Sequence, residues 1–340
     1  MSAAGPPWPR PGTHSVPLVV LFLLVSAGRV DAQVFETVGV RALGMGGAFV
    51  AVADDATAIY WNPAGLTDVF FSGVLDVQRT DTRLDPDPLR REGTSEFTTL
   101  AAIATPTRGL SYYRLRSWQV DRVSGDAGAE HATASLTSLV THHAGVTLVQ
   151  RFAPGLTIAT VLKAVHGTVA VGTGTGTTPI RELFAQASEL AGRSTIQLDL
   201  DVGVMIGVGA IKVALVGRNL REPEFAAADD VAASLERQFR AGLAVHPTGS
   251  LVVAVDVDLG STDTAAGPRR AVAVGTEQRI GWLIVRAGGR VNLEDDRPEP
   301  IATIGLSLEI LSGVWLDGQV SGGRDNGDRG WGVSARVGVL

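Results

Sequence analysis

Acidic and basic side chains recur at alternate positions within apolar stretches, and this arrangement has the clearest potential for chemistry. Side chains two residues apart on a β-strand point to the same side, so they can line a hydrated path or form ion pairs across an interior. The sequence leaves these two roles as equal alternatives. The candidate lumen-lining residues are Asp199, Asp201, Arg240, Asp256, Asp258, Arg286, Arg290 and Glu309.

The remaining motifs do not predict catalysis. His142 and His143 are adjacent, so on a strand they would point to opposite faces and could not share a metal ion. The Thr/Gly tract at 172–176 lacks the Lys-Ser/Thr ending of a phosphate-binding loop. There is no Gly-x-Ser-x-Gly elbow and no His-Glu-x-x-His helix. We therefore expect a protein that is not an enzyme and has no cofactor and no metal site.

The charged positions belong to segments with a period of two. In Leu251–Leu259 every odd position is apolar, while Asp256 and Asp258 share the even face. The segments 196–206 and 302–310 alternate in the same way, with Met205 as the exception. Such a period predicts β-strands with one apolar and one wetter face. Many strands of this kind are typical of a transmembrane β-barrel, whose outer face contacts lipid and whose inner face contacts a hydrated lumen.

Composition agrees with a barrel of half lipid-facing strands. The 340 residues are 45% hydrophobic and 19% charged, with a mean hydropathy of +0.20. The net charge of -6 provides no basic surface for nucleic acid, so we expect no such partner. No cysteine is present, which excludes disulfides and a lipid-modified N-terminal cysteine.

The first 32 residues are typical of a signal peptide. Arg10 precedes the apolar run 16–25, and Val30-Asp31-Ala32 suits cleavage after Ala32. An uncleaved membrane anchor is the less favoured alternative, because the run is shorter than the roughly 20 residues of a spanning helix. Export by this route predicts insertion into the bacterial outer membrane, with barrel-assembly machinery and outer-membrane lipid as partners.

We expect three parts: a signal peptide (1–32), an N-terminal hatch (33–68) inside the lumen and an antiparallel barrel (69–340). The candidate strands number about fourteen if the pair near 130–152 is one long strand, with twelve or sixteen as alternatives. Two longer connections, 172–194 and 221–236, are predicted rim elements. Each contains a possible helix, over 181–190 and 226–235.

The hatch is predicted from the block 39–66. Asp54 can cap a short helix ending near Trp61, Asp55 is expected in solvent, and Pro63 ends the helix. Glycines allow tight backbone packing. The hatch motif comprises Gly44, Gly46, Gly47, Asp54, Asn62, Pro63 and Ala64.

This block resembles the fatty-acid-transporter (FadL-like) superfamily of outer-membrane barrels, especially its smaller PorV/PorQ-like or TraF-like relatives. The resemblance rests on 41–48 (RALGMGGA), 53–56 (ADDA) and 62–66 (NPAGL), with weaker matches at 218–220 and 286–290. It implies a fourteen-stranded barrel whose N-terminal segment folds into the lumen. The chain departs from the fatty-acid branch because it is shorter and poor in aromatic residues, with only three tyrosines. It also ends in Val339-Leu340 and not in the aromatic residue that is typical of many outer-membrane barrels.

Two functions follow from this resemblance. The first is transport of small hydrophobic compounds, such as long-chain fatty acids, gated by the hatch. The second is a PorV-like accessory role in protein secretion or surface attachment, with secreted proteins as partners. A soluble periplasmic β-rich protein is a third possibility, and it predicts extraction without detergent.

Overall fold

The structure is a computed structural model. It describes residues 29–30, 38–68, 70–83, 93–124, 133–226, 232–264, 267–294, 300–323 and 329–339. The predicted cleavage site after Ala32 and the start of the predicted hatch at 33–37 lie outside these residues.

Fourteen antiparallel strands form a closed barrel, as the sequence predicts. Around the wall the barrel strands follow one another in chain order. The last of them, Arg329–Val339, pairs with the first, Phe71–Arg83, and so closes the barrel. One long strand, Thr133–Ala153, covers the predicted pair near 130–152. The barrel strands are β2 (Phe71–Arg83), β3 (Gly93–Ala104), β4 (Arg108–Ser124), β5 (Thr133–Ala153), β6 (Leu156–Thr175), β7 (Arg193–Val208), β8 (Ile211–Arg218), β11 (Gln238–Thr248), β12 (Leu251–Asp258), β15 (Ala271–Ile280), β16 (Leu283–Asn292), β17 (Ile301–Leu311), β18 (Val314–Gly323) and β19 (Arg329–Val339).

The other elements are short. Five small strands form two accessory sheets: β1 (Arg29–Val30), β9 (Glu224–Ala226) and β10 (Ala232–Ser234) in one, and β13 (Thr262–Thr264) and β14 (Gly267–Arg269) in the other. The helices are α1 (Val40–Gly44), α2 (Ala58–Trp61), a 3-10 helix (Pro63–Asp68) and α3 (Ile180–Glu189). None of the helices among the described residues has the length and apolar character needed to cross a bilayer.

The helix predicted over 181–190 is confirmed by α3, but the one predicted over 226–235 is wrong in the described part. There, β9 and β10 pair antiparallel, and Ala233 lies opposite Phe225. Both side chains are buried against barrel residues such as Val165. The alanine-rich composition favours a helix locally, but tertiary packing overrides that weak preference.

The outer face of the barrel is apolar and the inner face is polar or small. Val255 is 40% exposed, whereas the neighbouring Asp256 is 1% exposed. The same alternation holds in β17, where Ile304, Leu306 and Leu308 are exposed and Ser307 is buried. This is the pattern required of a wall that is in contact with acyl chains.

The two rims of the barrel differ. At the short-turn rim, consecutive barrel strands are joined by only two or three residues, as at Pro154-Gly155. The opposite, long-loop rim carries the longer connections, including 176–192 and 219–237. In outer-membrane barrels the longer loops are the extracellular ones. β4 to β7 are also the tallest strands, with 16 to 21 residues, while β8 and β12 have eight.

Val255→Arg is expected to impair membrane insertion, because a cation at a lipid-facing midplane position costs about 2–4 kcal/mol. Val255→Leu is the matched control and should fold normally. Asp256→Asn should also be mild, since the amide oxygen can still accept hydrogen bonds inside the barrel. The yield of folded, heat-modifiable barrel on gels is the measurement. Equal tolerance of arginine and leucine at position 255 would contradict a lipid-facing outer wall.

Candidate functional site

Residues 38–68, called the inner segment below, lie inside the barrel. The segment contacts inward-facing groups on strands around the whole circumference, including Asp76 of β2, Gly203 of β7 and Asp256 of β12. Its side chains are nearly all buried, and Phe49 packs edge-on against Trp61 at 6.0 Å between ring centroids. The lumen at this level is therefore filled with protein.

Close backbone contacts between glycines bring the inner segment against the wall. A Cβ atom on Gly44 would lie 3.0 Å from the Cα of Gly305 on β17. Gly46, with φ of +71°, adopts a left-handed conformation that suits glycine, and a Cβ there would clash with the backbone of Gly289. A side chain at Gly288 would overlap the backbone of Met45. Glycine is thus needed on both sides of this contact. Gly47, also in the predicted motif, has φ of +90°.

Asn62, Pro63 and Ala64 hold the far end of the inner segment against β7. The Asn62 amide donates to the carbonyl oxygens of Val50 (3.1 Å) and Val204 (3.2 Å), and its Oδ1 accepts from the Ala64 N–H. Pro63 begins the 3-10 helix and lies against Gly203, where any side chain would overlap it and Asn62. These contacts link the segment to the wall through one fully buried amide.

Arg41 is the charged centre of the inner segment. Its guanidinium forms a bidentate contact with Glu277 of β15, with both N–O distances at 2.7 Å. It also pairs with Asp54, and with Asp55 at 2.9 Å. The bidentate geometry is the strongest and most directional form of a charge-assisted hydrogen bond.

The ion pairs continue along the wall beyond Arg41. Arg286 donates to Glu277 and to Ser307, each at 2.6 Å, and lies 3.7 Å from Asp317. Arg336 pairs with Asp317 at 3.2 Å and approaches Asp55 at 3.9 Å. The network therefore joins the inner segment to five consecutive strands of the barrel, β15 to β19.

The two aspartates of the inner segment differ from their predicted roles. Asp54 does not cap α2, because its carboxylate pairs with Arg41. Asp55 is buried rather than solvated, and its Oδ1 accepts from the Thr57 N–H at 2.9 Å just before α2. Burial alone would raise the pKa of the Asp55 carboxyl, but the charges of Arg41 and Arg336 outweigh it and lower the pKa. Asp55 is therefore a carboxylate that serves the ion-pair network.

Two wall carboxylates bind the backbone of the inner segment. Asp256 accepts from the N–H groups of Phe49 and Val50, each at 2.8 Å. Asp76 of β2 accepts from the Val40 N–H at 3.0 Å. Without these carboxylates the backbone N–H groups would be buried without acceptors, and each unpaired donor would cost roughly 1–3 kcal/mol.

A second polar cluster lies on the inner face of β6, β7 and β8. Lys163 pairs with Asp199 at 2.9 Å and with Asp201 at 2.7 Å. Arg218 lies over the ring of Tyr60 at 3.5 Å, which connects this cluster to the inner segment. His143 stacks on Tyr113 at 4.0 Å between centroids, whereas His142 faces outward.

The other predicted lumen residues occupy separate places. Arg240 pairs with Asp258 at 2.6 Å, and Arg290 is buried in the wall. Glu309 lies at the short-turn rim, where it pairs with Arg279 at 3.5 Å and accepts from the Gly313 N–H. The predicted residues thus form several pairs rather than one continuous lining.

The described parts of the connection between β8 and β11, residues 219–226 and 232–237, reach the mouth of the barrel at the long-loop rim. Phe225 and Leu235 pack with the inward-facing Leu139, Val165 and Val169. The Phe225 ring lies directly over Gly167, so no side chain could be accommodated at that position. Apolar side chains therefore cover the lumen on the side opposite the short turns.

Several participants were not among the predicted site residues. They are Arg41, Asp55, Asp76, Lys163, Arg218, Glu277, Asp317 and Arg336. The residues on strands could have been found from the sequence, because the alternation of apolar and polar residues places each of them on the inward face of its strand. The partner of each residue could not be found from parity, since pairing depends on contacts between distant parts of the chain.

Solved structures with a similar fold include a toluene transporter, a monoaromatic hydrocarbon channel and a FadL homologue. The toluene transporter TbuX from Ralstonia pickettii is 14% identical over 90% of this chain and all of that chain, with a TM-score of 0.62. The monoaromatic hydrocarbon channel CymD is 15% identical over 89% and 97%, with a TM-score of 0.59. A Pseudomonas aeruginosa FadL homologue is 10% identical over 91% and 100%, with a TM-score of 0.60. No family model and no curated protein matches the chain.

The chain is therefore a closed fourteen-stranded barrel with the fold of these three solved proteins. Its similarity to these structures covers nearly the full length of both partners.

Gly288→Val should displace the inner segment, because its side chain would overlap the backbone of Met45 and Gly46. We expect faster hydrogen exchange at the amides of residues 38–68. Gly318→Val is the matched control, since a Cβ at Gly318 meets no atom within 4 Å. Unchanged exchange in Gly288→Val would contradict the tight contact between segment and wall.

Proposed function

We propose that this chain transports small hydrophobic compounds across the bacterial outer membrane, and that the inner segment gates the passage. The observation that carries the proposal is a closed barrel whose lumen is filled by its own N-terminal segment, in the fold shared by TbuX and CymD. A general diffusion pore would instead keep a wide polar channel.

The character of the lumen favours an apolar solute. The inner segment presents a core of apolar side chains that includes Phe49, Trp61 and Leu66, and the mouth is covered by Phe225 and Leu235. Each charged group among the pairs described above is neutralised by a neighbour. An ion or sugar would lose water on passing this apolar core, whereas an apolar compound would not incur that cost.

The accessory role in secretion receives less support. It requires the connection 221–236 to present a docking surface at the rim. In the structure, Phe225 and Leu235 from this connection are buried in the barrel mouth. Transport is therefore the function that the geometry supports best.

A reversible cross-link tests gating. A Cβ on Gly242 of β11 would lie 3.1 Å from the Cβ of Val50, close to the roughly 3.8 Å of a disulfide. It would also lie 2.5 Å from Asp256 Oδ1 and 2.9 Å from the Ala51 nitrogen, so the Gly242→Cys single variant shows what this side chain alone does to the inner segment. In Val50→Cys/Gly242→Cys, oxidation should tie the inner segment to the wall. We expect cells without other hydrocarbon channels to take up toluene or oleate through the reduced form and to lose at least tenfold of that uptake on oxidation.

The two single-cysteine variants are the controls, and the oxidant should leave their uptake unchanged. Equal uptake by the oxidised and reduced double variant would contradict gating by the inner segment. Uptake no higher than in cells without the wild-type chain would contradict transport itself.

A further inference from the structure

A band of cationic and imidazole side chains crosses the outer face of the barrel. Arg114, His142 and His166 are register neighbours on β4, β5 and β6. Arg116 is the next outward residue on β4. We call these four residues the cationic row. It lies immediately beyond the register row of Tyr112, Ala144 and Ala164, on the long-loop side.

The arginines of this row have no acidic partner. Among the described residues, no carboxylate forms an ion pair with Arg114 or Arg116, and the Nε atom of each is buried without a hydrogen-bond partner. Arg116 instead lies 5.9 Å from the centroid of Phe97. By contrast, Arg79 on β2, two strands away from β4, pairs with Asp81 at 3.0 Å.

The histidines are arranged beside the arginines. The Tyr112 hydroxyl and His142 Nδ1 are 2.6 Å apart, and the ring centroids of His142 and His166 are 5.8 Å apart.

The cationic row spans three neighbouring strands at about 4.8 Å spacing, so it is about 10 Å wide. That width suits a headgroup with more than one phosphate. Guanidinium groups bind phosphate through paired N–H donors.

An apolar groove begins directly beside the row. It has a volume of about 720 Å³ and lies on the outer face of β2 to β5, β18 and β19. Small residues, including Gly73, Ala101, Ala144 and Ala335, form its lining between the larger Leu75, Ile103, Leu110 and Val146. The groove extends from Tyr112 toward the short-turn rim, which is the direction that acyl chains take from a headgroup held at the row.

We propose that the cationic row and the groove together bind one phosphorylated glycolipid of the outward-facing leaflet. Its phosphates contact Arg114 and Arg116, with His142 and His166 beside them, and its acyl chains occupy the groove. The site lies on the lipid-facing wall. It requires the barrel to span a membrane with its long loops outward, but it is independent of the transported compound.

Native mass spectrometry of the full chain with added bisphosphorylated lipid A tests this site. Arg114→Gln/Arg116→Gln should weaken binding at least tenfold. The control Arg79→Gln/Arg237→Gln also removes two cations of the long-loop rim, but each is already paired, with Asp81 and Glu222. Its affinity should stay within twofold of the wild type. Arg114→Lys/Arg116→Lys should recover part of the loss, because the positive charge remains.

Two further comparisons separate headgroup from acyl-chain binding. Ala144→Trp fills the groove below the row and should weaken binding of lipid A while leaving the barrel folded. Phosphatidylglycerol, with one phosphate, should bind at least fivefold more weakly than lipid A. Equal binding of lipid A by the wild type and by Arg114→Gln/Arg116→Gln would overturn the site. Equal binding of the two lipids would overturn its assignment to a glycolipid.

Discussion

The contact between Arg41 and Glu277 is the constraint on which the interior of this barrel depends. Both groups are buried, and removing either one leaves the remaining charges of this buried network out of balance. Arg286 shares Glu277, and Arg336 reaches the same network through Asp55 and Asp317. Within this network the charges of the wall and those of the inner segment therefore compensate one another.

This mutual dependence explains the glycines of the wall. Gly288 and Gly305 let the backbone of the inner segment lie directly against the wall, beside the strands that carry these charges. Asp76 and Asp256 then accept hydrogen bonds from backbone N–H groups that cannot reach water. At the level of the inner segment the lumen is therefore filled by packed apolar side chains and by polar groups bonded to the segment.

Much of the barrel could be predicted from local sequence, since strand parity is a local property. The alternation of Val255 with Asp256 identifies the outward and inward faces, and the long strand Thr133–Ala153 continues the same alternation on either side of the adjacent histidines. His142 and His143 indeed face opposite sides. Pairing could not be predicted in this way. Arg41 and Glu277 are 236 positions apart, so their contact depends on the register of the whole barrel. Asp54 could not be placed either, because local rules assign it to a helix cap whereas it pairs with the distant Arg41. The strands β9 and β10 were missed because their conformation is stabilised by packing in the barrel mouth.

A double-mutant cycle at Arg41 and Glu277 tests the central claim most directly. The free energy of unfolding in lipid vesicles would be measured for the wild type, Arg41→Met, Glu277→Met and the double variant. Each single change should cost up to about 3–5 kcal/mol, because it removes the bidentate contact and unbalances the buried charges, although Arg286 still pairs with Glu277 and Asp55 still pairs with Arg41. The double variant should be destabilised by clearly less than the sum, with a coupling of about 2 kcal/mol or more. Additive losses would show that the inner segment is not held to the wall by this ion pair.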